Sequence, residues 1–85
     1  MKQLEEKAKS VKTKIDFISF IELLIEDLQS NLEEWENRDL KSYLEAMQSW
    51  IEDMDGYYKN LGYPIPKEIN WKVLSDILMA ARIYE

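Results

Sequence analysis

Apolar residues fall on this chain in three long runs with helical spacing. From about Thr13 to Leu32, the residues Phe17, Ile18, Ile21, Leu24, Ile25, Leu28 and Leu32 follow the three-and-four rhythm of one helix face. Phe20 and Leu23 widen that stripe, which predicts contact with two neighbours. Thr13 is the expected N-cap, with Asp16 three residues on to complement the positive helix end. A loop through Ser30 to Arg38 follows, and Asn37 or Asp39 is placed to cap a second helix reaching about Asn60. Leu40, Leu44, Met47, Ile51, Met54 and Tyr58 share one face of it, flanked by Tyr43 and Trp50. Gly56 falls on its solvent side, where the helix either bends or is approached closely by something else.

Asn60-Leu61-Gly62 has the form of a helix C-terminus. The stretch from Tyr63 to Ile69 is extended, because each residue before a proline is pushed away from helix. Asn70 then caps a last helix from Trp71 to about Tyr84, with Val73, Leu74, Ile77, Leu78, Ala81 and Tyr84 as its buried stripe. Leu4, Ala8, Val11 and Ile15 make a thinner stripe at the N-terminus, consistent with a short helix or a frayed arm over residues 1–12. The expectation is an all-α protein: one domain over residues 1–85, a small bundle of three main amphipathic helices with that N-terminal segment added. No internal repeat or domain boundary is visible.

Composition narrows the chemistry. The 85 residues contain no cysteine and no histidine. That excludes disulfides, thiolate metal sites and serine–histidine or cysteine–histidine catalysis. Asp53-Met54-Asp55-Gly56 has part of a calcium-loop pattern. With Asp53 and Asp55 as third and fifth ligands, the first and twelfth would be Ile51 and Gly62, which supply no carboxylate. A bundle diiron site needs histidine. Gly56 and Gly62 open no strand–loop–helix unit, so no phosphate-cradling fingerprint exists. The reading is therefore a non-enzyme without cofactor or metal.

Charge adds a direction. The net charge is −6 and it is uneven. Residues 1–14 hold five lysines against two glutamates. Residues 15–59 hold twelve acids against Arg38, Lys41 and Lys59, a net of −9; residues 60–85 balance. Such a chain is no expected nucleic-acid binder. A field of this sign raises encounter rates with a basic partner. Tyr57 among Glu52, Asp53, Asp55 and Gly56 has the make-up of a protein-binding patch, an aromatic anchor set among charges, and these five are the candidate partner-binding residues. The N-terminus carries no apolar leader, and the longest nearly apolar stretch, Ile15 to Ile25, is broken by Asp16, Ser19 and Glu22. A cytoplasmic protein without membrane contact is expected.

Trp35-Glu-Asn37, Tyr43-Leu-Glu-Ala46, the run Trp50-Ile-Glu-Asp-Met-Asp-Gly-Tyr-Tyr-Lys-Asn60, and Trp71 with Ile77-Leu-Met-Ala-Ala-Arg-Ile-Tyr-Glu85 resemble a family of small bacterial helical proteins of unknown function, over about residues 14–85. The resemblance implies a stand-alone, mainly helical protein and brings no activity or ligand. In length, acidity and helicity the chain is also similar to immunity proteins of nuclease bacteriocins, which bind their toxins through acids and an Asp-x-x-Tyr-Tyr-Pro segment. Asp55-Gly-Tyr57-Tyr58 has one residue fewer between Asp and Tyr, with Lys59 in place of the proline. The sharpest expectation is an acidic inhibitor of a basic toxin. The other is a homodimeric structural or regulatory protein, suggested by Phe20, Leu23, Met79 and Ile83 lying off the main stripes.

Overall fold

The computed structural model describes residues 2–84, so Glu85, the last residue of the resembling stretch, lies outside them. Four helices follow in order: α1 (Lys2–Ser10), α2 (Lys14–Ser30), α3 (Leu40–Asn60) and α4 (Trp71–Ala81), with a 3-10 turn at Leu32–Glu34. No strand occurs among the described residues, and no helix is long and apolar enough to cross a membrane.

Local chemistry sets the ends. Thr13 caps α2 reciprocally: its hydroxyl accepts from Asp16 N–H at 3.1 Å, while Asp16 accepts from Thr13 N–H at 3.2 Å. Asp39, not Asn37, caps α3 by accepting from Ser42 N–H at 2.9 Å. Asn70 caps α4 by accepting from Val73 N–H at 2.9 Å. Gly62 takes φ +77°, and the amides of Gly62 and Tyr63 donate to the carbonyls of Lys59 and Tyr58, which closes α3 in a Schellman motif. The last helix stops at Ala81, short of the expected Tyr84, because Arg82 and Tyr84 are drawn into loop contacts.

The helix α4 is the hub. On one side Leu4, Ala8 and Val11 of the N-terminal segment join Phe20, Leu24 and Trp35 in a core that half-buried Leu78 and Met79 of α4 complete. On the other, Val73 and Ile77 pack against Trp50, Met54 and Tyr58 of α3. The N-terminal segment is thus a helix with a covering role, and it accounts for the off-stripe residues. Phe20 is fully buried, Leu23 and Met79 are half-buried, and only Ile83 stays exposed.

Two expected faces are rotated. In α2 the core is reached by Phe20, Leu24 and Asp27, whereas Ile18, Ile25, Leu28 and Leu32 are exposed. In α3 the buried set is Ala46, Trp50, Met54 and Tyr58, and Leu40, Leu44 and Ile51 are exposed. The cause is the placement of α4 between them: no Cα of α2 comes within 8 Å of one in α3. Their facing rows are Ile18, Ile21, Ile25 and Leu28 on α2, and Leu40, Leu44, Met47 and Ile51 on α3. The two rows flank an open groove of about 370 Å³ at the Leu28–Leu40 end, with Leu78 in its lining.

One buried acid ties the far ends together. Asp27, 5% exposed, accepts from Trp35 Nε1 at 2.7 Å, Asn31 Nδ2 at 3.0 Å and Arg82 Nη1 at 3.2 Å. The Arg82 guanidinium also lies 5.8 Å from the Trp35 ring centroid. Burial works to raise the Asp27 pKa, but these hydrogen bonds and the Arg82 charge outweigh it and hold the carboxyl below its ordinary value.

α3 runs unbroken through Gly56, and no neighbour approaches it closely: a Cβ there would have nothing within 4 Å. Gly56→Ala should therefore raise stability by up to about 1 kcal/mol, read as a higher urea midpoint at unchanged slope; a lower midpoint would contradict this account of the position.

Candidate functional site

The edge of α3 that faces α1 carries an aromatic cluster of which only Tyr57 reaches the surface. Trp50, Tyr57 and Tyr58 pack edge to face, with Trp50–Tyr57 centroids 5.3 Å apart and Tyr57–Tyr58 centroids 5.1 Å apart. Trp50 and Tyr57 line a cleft of about 460 Å³ whose other walls are Ala8 and Lys9 of α1 and Met79, Ile83 and Tyr84 at the end of α4. A second hollow of about 700 Å³ continues from it past Tyr57 to Tyr63, Pro64 and Pro66. Lys9, Tyr57 and Asp76 line both. The lining is aromatic and aliphatic, with a few charges placed among it.

Hydrogen bonds fix the frame. Tyr58, buried at 6% exposure, donates to Asp76 Oδ2 at 2.6 Å, and Lys72 holds the other Asp76 oxygen at 2.6 Å. Burial first, then the bond to the Asp76 carboxylate, raises the Tyr58 phenol well above its ordinary pKa. The Tyr84 hydroxyl donates to Asp53, and that bond raises its pKa as well. Tyr43, whose hydroxyl donates to the Leu78 carbonyl at 2.8 Å, is pushed up to about 12 by burial, partly offset by the charge of Arg82.

The five candidate residues do not form one patch. Asp53 and Tyr57, one turn apart, lie together on the cleft edge with Tyr84. Glu52 and Gly56 are also one turn apart but on the outward surface, and Asp55 is exposed on neither of those edges. Tyr58, second half of the expected tyrosine pair, belongs to the core. Sequence reasoning missed Tyr84, Ile83 and Lys9 as cleft partners, because only the fold brings α1 and the end of α4 to α3. Among the described residues, no three acidic side chains are gathered so as to hold a metal ion.

Residues 13–85, which span α2, α3 and α4 but not α1, match the family described as "Family of unknown function (DUF7660)". The chain belongs to that family. No curated protein and no solved structure matches it. The family match includes every α3 and α4 residue of the cleft through Tyr84, while Ala8 and Lys9 on the opposite wall lie outside it.

The two neighbouring tyrosines should behave differently. Tyr58→Ala removes a core ring and strands Asp76, at a cost of about 3–5 kcal/mol. Tyr57→Ala, at a side chain 44% exposed, should cost about 1 kcal/mol or less. Urea unfolding of both variants checks the pair, and equal losses would contradict the assignment of Tyr57 to the surface.

Proposed function

We propose that this protein is a non-enzymatic protein-interaction domain that receives a basic partner on the cleft beside Asp53 and Tyr57. The observation that carries the reading is an aromatic-lined hollow on the surface of an acidic helix. Tyr57 and half-buried Tyr84, backed by buried Trp50, offer rigid apolar area at low entropic cost, as interface anchors do. The net −9 of residues 15–59 supplies the steering field for a positively charged surface.

Its sharpest form is an acidic inhibitor or immunity protein acting on a basic toxin in the cytoplasm. Charge and size support that form. The tyrosine pair supports it less, since Tyr58 bonds to Asp76 inside the core and leaves Tyr57 alone to meet a partner. A homodimeric structural or regulatory role is the second reading, favoured by the apolar rows left uncovered on α2 and α3.

The test is affinity capture from a lysate of the organism that encodes the chain, using wild type, Tyr57→Ala and Asp53→Lys as baits at low and high salt. The reading predicts one dominant basic protein, released by high salt and recovered at least about tenfold less by either variant. A captured protein that ignores salt and both substitutions would overturn the cleft reading, and an empty wild-type bait would overturn the basic-partner reading.

A further inference from the structure

The groove between α2 and α3 lies on the side of α4 away from the cleft, and it is apolar in a way the fold does not use. Six aliphatic side chains on the two rows are between 37% and 73% exposed: Ile18, Ile25 and Leu28 from α2, and Leu40, Leu44 and Ile51 from α3; Ile25, Leu28 and Leu40 line the groove itself, and the others share their helix faces. Isolated exposed leucines need no explanation, but two facing rows at helical spacing do.

We propose that this face binds a second copy of the chain, so that the protein is a symmetric homodimer with the α2 and α3 rows at its centre. The first argument is area. A fully exposed aliphatic side chain presents on the order of 120 Å². Six at about half exposure, with half-buried Ile21, Met47 and Leu74 beside them, make on the order of 450 Å². A standard interface covers roughly 800 Å² per partner, about 65% of it apolar where two like chains meet. That requires roughly 520 Å² of apolar surface, which this face approaches.

The second argument is charge. Two chains of −6 repel unless their acids are kept from the contact. On α2, Asp16 is engaged at the N-cap and Asp27 faces Arg82 inside the protein. Glu22 and Glu26 line hollows shared with α1, on the far side of the helix. On α3, Asp53 bonds to Tyr84 on the cleft side, and Glu45 is paired with Lys41 at 3.1 Å. At the end of the groove Arg38 and Asp39 carry opposite signs. Exposed Asp55, one turn beyond Ile51, borders the α3 row, but the rows themselves carry no acid, and depletion of charge is the compositional mark of an interface core. A two-fold contact needs a patch complementary to itself, and apolar rows opposite apolar rows meet that condition.

Sedimentation equilibrium of the full chain decides the matter. Wild type at tens of micromolar is expected at twice the 10.2 kDa chain mass. Ile25→Glu and Leu44→Glu, both at exposed positions and checked for helicity by circular dichroism, should each raise the dimer dissociation constant about 30-fold or more. Ile83→Glu, equally exposed but in the cleft, should change it less than about threefold. Three results would overturn the proposal. One is a wild-type mass of a single chain up to several hundred micromolar. Another is a dimer that survives both groove substitutions. The last is a monomer whose α2/α3 face instead holds a different captured protein, lost with Ile25→Glu. None of these bears on the cleft reading, whose variants lie on the other side of α4.

Discussion

Asp27 is the residue on which the arrangement turns. A carboxylate taken out of water is tolerated only when its lone pairs are filled and its charge answered. Here Asn31 and Trp35, from the connection after α2, and Arg82, from the end of α4, fill its lone pairs, and Arg82 answers its charge. Trp35 anchors the loop after α2. Arg82 anchors the end of α4, and its carbonyl in turn accepts from the amides of Glu36 and Asn37 at 3.0 Å each. The Asn37 side chain then donates to the carbonyls of Ala81 and Tyr84 at 2.9 Å. The last turn of the chain is thereby fixed, and with it the Tyr84 ring that forms a wall of the cleft and bonds to Asp53.

The same knot explains why α4 stands between α2 and α3. With its C-terminal end fastened to α2 through Asp27 and to α3 through Tyr43, α4 separates the two longer helices. Three helices around a central one leave two gaps. The gap toward α1 is lined by aromatics with several charges among them; the gap between α2 and α3 is walled mainly by aliphatic side chains, with Trp35 and Tyr43 in its lining and Arg38 and Asp39 at its end. Both proposed contacts follow from that division: a basic partner beside Asp53 and Tyr57, and a like chain on the aliphatic rows of α2 and α3.

Much of the architecture was legible because it rests on local chemistry. Thr13, Asp39 and Asn70 each satisfy orphan amides one turn away, and Gly62 supplies the positive φ that ends α3. Which face goes inside was not legible on α2 and α3. Their apolar stripes exceed half the helix circumference, and periodicity alone cannot say which part is covered. Asp27 could have settled α2: it shares a face with Phe20 and Leu24, and an acid within an apolar stripe marks a buried, partnered site. The scatter of the candidate residues has a related cause. Glu52, Asp53, Asp55, Gly56 and Tyr57 are near neighbours in sequence, but at 100° per residue they spread around the helix, and only Asp53 and Tyr57 share the cleft edge.

The central claim, that the Asp27 cluster holds the fold, is tested most directly by urea unfolding of wild type and Asp27→Asn across pH 2.5–7. The folded carboxyl titrates below its ordinary value, so its contribution is complete above the unfolded pKa and is lost as pH falls through the folded one. The account predicts that Asp27→Asn is less stable by about 2–4 kcal/mol at pH 7, with Arg82 left buried opposite a neutral amide. That difference should shrink steadily as pH falls below about 4. A difference under about 0.5 kcal/mol at pH 7, or one that stays constant down to pH 2.5, would contradict it.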